Sequence, residues 1–500
     1  MEVEKILLEE QSLDPEDWGE LRRLGHQMVD DMLRHLETVR ERPIWQPPTR
    51  AAENLKTPLP VEPTPLEDVY AEFRQNILPY PMGNIHPRFW GWVIGTGSPG
   101  GVLAEMLAAT MNPNCGGGDH AANYVEAQVL DWFKEMFGYS SEASGLLVSG
   151  GSMANLLGLA VARNTCAGFD IRKAGARASK GQLLVYCSTE THNSVQKSME
   201  MLGLGSDSLR KIPVDADFRI VSAKLKEAIC RDKEEGHRPF CVIGTAGTVN
   251  TGAIDDLTDL ADICEAHDLW FHVDGAFGAI AAILPEFKEQ LAGMDRADSL
   301  AFDLHKWLYV PFEAGCILIK DPKIHRKAFA VIPDYLMHHE RGIAGGPYYF
   351  SNLGIELSRG FKSLKAWFML KEHGIRKYEV LVRQNIAQAA YLADLVNEQP
   401  ELELLAPVPL NIVCYRFVAE GVAPEKLDEL NKEILMELHE RAIAAPSFTV
   451  IDGKYAIRVA ITNHRSRKED FEALVEATVT LGRELAPQFV VSHDTQNLTG

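Results

Sequence analysis

The sequence predicts an α/β chain: a large domain built on a mostly parallel sheet, with an N-terminal helical arm before it and a small α+β domain after it. Three observations predict this. Between Gly145 and Ile319, short continuous apolar runs alternate with helix-like stretches, the pattern of strands covered on both faces by intervening helices. Upstream, a tract holding Pro43, Pro47, Pro48, Pro58, Pro60, Pro63 and Pro65 separates one amphipathic helix from that region. Downstream, strands and helices are grouped instead of alternating, and Asp452-Gly453 marks a hairpin turn. The expected segments are 1–85 (helical and extended), 86–364 (large α/β domain) and 365–500 (small α+β domain).

Composition bounds the function. The chain has 500 residues, 46% of them hydrophobic and 24% charged, as in ordinary globular proteins. A formal charge of -20 lacks the electrostatic footprint of a nucleic-acid binder. No apolar stretch reaches the roughly 20 residues of a spanning helix, so no membrane role is expected. The acidic start Met1-Glu-Val-Glu-Lys-Ile6 lacks the regions of a signal peptide. Cys115, Cys166, Cys187, Cys230, Cys241, Cys264, Cys316 and Cys414 are scattered without a CxxC pair, which suits a reducing compartment and no metal site. The cytoplasm is expected.

Asp14-Pro15-Glu16-Asp17 reads as a helix start, followed by Leu21, Leu24, Met28, Met32 and Leu36 on one face. The proline tract reads as an extended connector. Helix and connector together suit either wrapping around a second subunit or folding back on their own domain. His86-Pro-Arg-Phe-Trp-Gly-Trp92 crowds three aromatics, as core or as the wall of an apolar pocket. A helix is expected at Val102–Met111. Strands are expected at Leu146–Val148, Leu183–Tyr186, Cys241–Thr245, Leu269–Val273, Leu300–Leu304 and Cys316–Ile319. Helices fall at Met153–Arg163, Ser194–Leu202, Val221–Arg231 and Asp256–Ala266. Beyond a helix at Phe361–Leu370, the small domain is read as strand Ile412–Phe417, helix Lys426–Ala442, hairpin Phe448–Ile451 with Tyr455–Ala460, and helix Ser466–Leu485.

The carboxyl ends of such strands are where ligands bind. Leu300–Leu304 delivers His305 and Lys306, with Trp307 following. Alone, Lys306 reads most simply as a lysine whose head reaches solvent. Leu269–Val273, however, ends in Asp274 within His272-Val-Asp-Gly-Ala-Phe277. A buried acid and a buried lysine on neighbouring strand ends suit pyridoxal phosphate (PLP), with Lys306 as the Schiff-base lysine and Asp274 on the protonated pyridine nitrogen. Val148-Ser-Gly-Gly-Ser-Met-Ala-Asn155 runs from strand through glycines into a helix, a phosphate cradle aimed by the helix dipole. It lacks the lysine of a P-loop and the spacing of a dinucleotide fingerprint. His192 follows a strand end and could stack on the pyridine ring; Thr245 ends another strand.

These residues carry a resemblance. The chain resembles the group II PLP-dependent amino-acid decarboxylases, in particular bacterial aromatic-L-amino-acid decarboxylases, from about Asp17 to about Leu485. The family motifs correspond to His305-Lys306-Trp307, His272-Val-Asp-Gly-Ala276, His192, Thr245 in Gly244-Thr-Ala-Gly-Thr248, and Gly151 with Ser152. The resemblance implies the PLP-dependent transferase fold of type I and a homodimer with active sites at the interface. It implies cofactor contacts from Gly151, Ser152, Met153, His192, Thr245, Asp274, Ala276, Asp303, His305 and Lys306. Lys306, Asp274, His192 and Tyr335 are the expected catalytic residues; Tyr335, in Pro333-Asp-Tyr-Leu-Met-His338 on a mobile loop, returns the proton to Cα. Substrate contacts are expected from Trp92, Val93, Ile94, Gly95, Asn114, Ser358 and Arg458.

The expected activity is decarboxylation of an aromatic L-amino acid. The alternatives are a decarboxylase of glutamate or aspartate type, an aminotransferase, and a decarboxylating aldehyde synthase. Retention of both His192 and Tyr335 disfavours the last, and retention of Lys306 and Asp274 disfavours a non-catalytic scaffold. Three departures stand out. Asn112 and Asn114 stand where the animal aromatic enzymes of the family place bulky apolar residues from the neighbouring subunit. Phe277 replaces a tyrosine. Asp303 replaces an asparagine near the phosphate, which would place an anion beside a dianion unless its side chain faces away.

Overall fold

The computed structural model describes Leu7, residues 11–331 and residues 340–490. It divides into two compact units, one ending at Gly83 and one beginning at Asn84.

In the first unit, helix α1 (Trp18–Glu37) is capped by Asp17, whose carboxylate accepts from the N–H groups of Gly19 (2.6 Å) and Glu20 (3.3 Å). The helix thus starts after the last residue of the expected Asp14-Pro15-Glu16-Asp17 signal, with Asp17 as its cap. Helix α2 (Leu66–Asn76) is tied to α1 through Asp31, which accepts from Tyr70 Oη at 2.8 Å and pairs with Arg74 at 3.5 Å. The proline tract is not wholly extended, because Thr49–Asn54 forms a short helix entered from Pro48. The stretch before Pro58 is free of proline, and that is room enough for a turn and a half.

The second unit opens with strand β1 (Phe89–Trp90) and helices α3 (Pro99–Met111) and α4 (Ala121–Met136). A seven-stranded sheet follows, from β2 (Ser144–Val148), β3 (Leu183–Ser188), β4 (Leu209–Ile212), β5 (Arg238–Thr245), β6 (Trp270–Asp274), β7 (Ser299–Asp303) and β8 (Gly315–Ile319). Their order is β2-β8-β7-β6-β5-β3-β4. The run from β7 through β4 is parallel, whereas β8 is antiparallel to both β7 and β2. Strands β6, β7 and β8 are buried throughout, which is why their sequences read as continuous apolar runs. Because β8 returns antiparallel, β7 and β8 are joined by a loop instead of a crossover helix. That loop carries Lys306.

Helices α5 (Gly151–Cys166), α6 (Ser194–Met201), α7 (Ser222–Glu234) and α8 (Leu257–His267) fall between strands as expected. Helix α9 (Ser363–Glu398) continues far beyond the expected Leu370, with a non-helical Gly374 (φ 66°) inside it. A five-stranded sheet is completed by β9 (Leu402–Leu404), β10 (Ile412–Phe417), β11 (Ala445–Ile451) and β12 (Lys454–Ala460), in the order β1-β11-β12-β10-β9. Helices α10 (Pro424–Glu440) and α11 (Lys468–Leu485) cover it. Phe89–Trp90 thus pairs in parallel with Ala445–Pro446, so a strand before the large sheet belongs to the C-terminal one. Trp90 fixes this strand: its ring stacks on Phe471 at 4.9 Å and its Nε1–H donates to Ser466 Oγ at 3.0 Å.

Candidate active site

A cavity of about 320 Å³ opens where β5 and β6 end, lined by His192, Thr245, Asp274, Ala276 and Lys306. Its walls are Trp92, Val93, Phe277 and Phe448, with Arg458 at one side. A larger groove of about 710 Å³ lies between α4 and α9, but its lining is mostly apolar and brings no acid, lysine and histidine together at strand ends.

Lys306 sits on a rigid base. The neighbouring Trp307 is fully buried and donates from Nε1 to Asn385 Oδ1 at 3.0 Å, and Tyr309 Oη donates to the same oxygen at 2.8 Å. Behind the lysine, a Cβ on Gly95 would collide with the carbonyl oxygens of His305 and Lys306, so the two backbones touch there. The lysine is not fully buried as expected: its side chain is 21% exposed, and Nζ lies 3.0 Å from Asp303 Oδ2.

Asp274, 3% exposed, accepts from Ala276 N–H at 3.1 Å through Oδ1 and from Asn155 Nδ2 at 2.9 Å through Oδ2. Asp303 is equally buried, but its Oδ1 has no hydrogen-bond partner among the described residues. It does not face away from the glycine turn: a Cβ on Gly151 would stand 2.8 Å from Asp303 Oδ2. The Lys306 cation supplies the compensating charge. His305 packs its ring on Phe312 at 4.3 Å and accepts at Nδ1 from Ala314 N–H (3.2 Å), and burial lowers its pKa.

His192 lies past the end of β3 with Nδ1 at 2.8 Å from Ser194 Oγ. Burial lowers its pKa, while the Asp274 charge pulls the other way. Thr245 lines the cavity, donates its N–H to Asp255 Oδ2 at 2.8 Å, and has a buried Oγ1 with no hydrogen-bond partner among the described residues. Asp255 was not anticipated; buried at the foot of this strand end, its pKa is pushed up to about 6 by loss of water.

The remaining residues divide. Gly151, Ser152 and Met153 form the first turn of α5, which has no side-chain cap. Trp92, 57% exposed, and Val93 line the cavity; Ile94 and Gly95 do not. Ile94 presents its carbonyl to Thr462 Oγ1 (3.0 Å), and Gly95 supports the lysine loop. Arg458 is buried and donates to the carbonyls of Trp92 (3.0 Å), Asn250 (3.2 Å) and Val249, and to Ser447 Oγ (3.2 Å). Burial lowers its pKa to about 10. Asn114 and Ser358 do not line this chain's cavity: Asn114 Oδ1 accepts from Gly116 N–H (3.0 Å) and from Arg359 N–H (2.9 Å), which joins those two loops. Tyr335 lies outside the described residues.

The donor set fits PLP. The helix start at Gly150–Gly151 has no side-chain cap, so its first N–H groups suit a phosphate, and a Cβ at either glycine would crowd His305 or Asp303. The Thr245 hydroxyl is a buried polar group waiting for a partner. Asp274 offers a fixed carboxylate and Lys306 an amine on the same cavity. Sequence reading missed Asn155, Ser194 and Phe448. Asn155 could have been found from its spacing, since it lies one helical turn after Gly151 on the same face. Ser194 opens α6 two residues after His192. Phe448 comes from the hairpin of the second sheet, and no local signal points to it.

The pyridoxal-dependent decarboxylase conserved domain matches residues 48–418. An aromatic-L-amino-acid decarboxylase of Bacillus atrophaeus is 33% identical over 474 residues, covering 93% of this chain and 96% of that protein. A phenylacetaldehyde synthase of Petunia hybrida is 29% identical over 468 residues, with 90% and 91% covered. Among solved structures, Oryza sativa TDC with PLP and tryptamine superposes with a TM-score of 0.86 at 25% identity, covering 95% of this chain and all of that one. A family match over most of the chain, a relative aligned almost end to end, and Asp274 and Lys306 brought to one cavity from the ends of adjacent strands agree: the chain belongs to the pyridoxal-dependent decarboxylases.

Proposed function

We propose that the protein decarboxylates an aromatic L-amino acid to the amine. One observation carries the choice of substrate. The cavity walls Trp92, Val93, Phe277 and Phe448 are apolar, and the two cations that line it are already engaged. Lys306 is the cofactor lysine, and Arg458 spends its guanidinium on three backbone carbonyls and Ser447. A second substrate carboxylate would therefore meet no free cation among the described lining residues, whereas an aromatic ring would meet flat apolar surface.

When bound, PLP supplies an electron sink for the pair left at Cα as carbon dioxide departs. The chain does the rest. Lys306 would hold the cofactor through its amine. Asp274 keeps a proton at the pyridine nitrogen, and its own fixed hydrogen bonds mean that it need not reorganise as charge develops. Gly151, Ser152 and the first turn of α5 receive the phosphate, with the Thr245 hydroxyl as a further donor to the cofactor. His192 would border the cofactor from the cavity wall. Return of the proton to Cα is assigned to Tyr335 on the strength of the resemblance alone.

Two further features belong to this reading. Helix α3 exposes Val102, Leu103, Met106, Leu107 and Met111 along one stripe, which supports burial against a second copy in a homodimer. In such a dimer Asn114 and Ser358 would serve the partner's site. The eight cysteines are free, which supports a reducing compartment, the cytoplasm. No helix among the described residues is long and apolar enough to cross a membrane.

A substrate panel tests the proposal. The purified holoenzyme is offered tyrosine, phenylalanine, DOPA, tryptophan, glutamate and aspartate, with carbon dioxide and amine both measured. Equal amounts of the two from an aromatic substrate are expected. Faster turnover of glutamate, or carbon dioxide accompanied by aldehyde in place of amine, would overturn it.

A further inference from the structure

Asn155 touches Asp274 and has been given no role. It is buried in α5 with Nδ2 at 2.9 Å from Asp274 Oδ2 and 3.2 Å from Ser194 Oγ, and with Oδ1 at 2.9 Å from His272 Nε2. The carboxylate can only accept, so the amide nitrogen must face it and the amide oxygen must face His272. His272 then has to carry its proton on Nε2. Fully buried, its pKa is lowered to about 4 by loss of water, so near neutral pH it has one proton and Nδ1 is an acceptor.

The directions of the other bonds follow. Ser299 Oγ, 2.7 Å from His272 Nδ1, must donate to it, and itself accepts from Trp270 Nε1–H at 2.8 Å. The donors therefore run one way, from Trp270 through Ser299, His272 and Asn155 to Asp274. The second hydrogen of the Asn155 amide goes to Ser194 Oγ. That hydroxyl donates in turn to His192 Nδ1 at 2.8 Å, where Ser194 N–H also donates at 3.2 Å. With two donors on Nδ1, the His192 proton resides on Nε2.

We infer that Asn155 is a positioning residue whose single amide both orients the Asp274 carboxylate and, by donating to Ser194 Oγ, aims the Ser194 hydroxyl at His192 Nδ1. The inference rests on the decarboxylase reading of the site and extends it. An amide suits the position because it presents two N–H hydrogens and one acceptor in a plane. Aspartate would set a second anion against Asp274, and leucine would leave Asp274, His272 and Ser194 each short of a partner.

The test compares wild type with Asn155→Asp and Ser194→Ala as full-length holoenzymes. Retention of PLP after dilution is read by absorbance, kcat and KM are measured separately, and thermal unfolding is followed. Asn155→Asp should release PLP and lose kcat by on the order of 10–100-fold, the scale seen when a group orienting a ligating side chain is lost, with KM little changed. Ser194→Ala should keep PLP as wild type does and lose kcat alone. The inference fails if Asn155→Asp retains PLP and turns over normally. It also fails if only the melting temperature moves while the folded fraction stays fully active. Should Asn155→Asp not fold, Ser194→Ala decides: native kcat in that variant overturns the link to His192. PLP retention needs no substrate, so a wild type inactive on every amino acid would sink the proposed function and leave this arm readable.

Discussion

Asp274 and Asp303 end neighbouring parallel strands, β6 and β7, and both are almost completely buried, yet they are held in opposite ways. Asp274 receives a neutral donor on each oxygen, one from backbone and one from an amide that is itself held by a buried histidine. Asp303 has one unpartnered oxygen, and the other depends on the head of a lysine that reaches it from three residues away. The first arrangement holds a charge in place whatever the lysine does. The second changes when the lysine changes partner. Burial alone would have made the two acids equivalent; their hydrogen bonds separate a fixed electrostatic partner from a conditional one.

The largest effect should come from Lys306→Ala, which on the proposed reading removes the covalent hold on the cofactor and which leaves Asp303 without its lysine partner. Activity should fall to background, and the variant should melt below wild type because a buried carboxylate has lost its partner. An active variant, or one more stable than wild type, would show that Asp303 does not depend on the lysine.

Next, Asp274→Asn keeps shape and hydrogen bonding but removes the charge. We expect PLP to remain bound and kcat to fall about 10²–10³-fold, the scale of losing one preorganised electrostatic partner. Steady-state kinetics at saturating substrate check this, and a rate near wild type would make the two acids alike after all.

A smaller effect separates the support behind Asp274 from the acid itself. His272 has its pKa lowered from 6.5 to about 4 by burial. Above pH 6.5 the folded and unfolded states both leave it neutral, so stability is unaffected. As pH falls from 6.5 towards 4, the unfolded chain takes up a proton that the folded chain refuses, and stability drops. The slope for one such proton is at most about 1.4 kcal/mol per pH unit. The difference between wild type and His272→Gln isolates it: denaturant midpoints should converge or cross as pH is lowered across that window. A constant difference would mean that His272 titrates alike in both states.

Asp303→Asn should have the mildest outcome. The amide can give the unpartnered position a donor, so PLP affinity should equal or exceed that of wild type, with kcat changed by less than about tenfold, or ~1.4 kcal/mol. Loss of PLP from this variant, measured by equilibrium dialysis, would show that the ion pair with Lys306 helps to build the cradle.

Much of this site was legible because chemistry at strand ends leaves a sharp pattern. Lys306 and Asp274 each follow an uninterrupted apolar run, and the Gly150–Gly151 turn joins a strand to a helix. The elements that escaped lack such contrast. Strand β4, Leu209-Arg-Lys-Ile212, lies at the sheet edge, is only partly buried and is mostly polar in its centre. Strand β1 is two residues long and exists because β11 offers it an edge. Asn155 reads as an ordinary helix-surface polar residue until the sheet brings His272 beneath it. Ile94 and Gly95 were placed in the substrate pocket by resemblance, but their backbones serve Thr462 and the lysine loop, and contacts of that kind leave no trace in side-chain type.

On the proposed reading, the lysine at the end of β7 holds the cofactor opposite Asp274. Borohydride fixes PLP irreversibly to whichever lysine holds it, and peptide mapping by mass spectrometry then identifies that residue. The label is expected on Lys306 and on no other lysine. A label on another lysine, such as Lys362 or Lys365 at the start of α9, would contradict it.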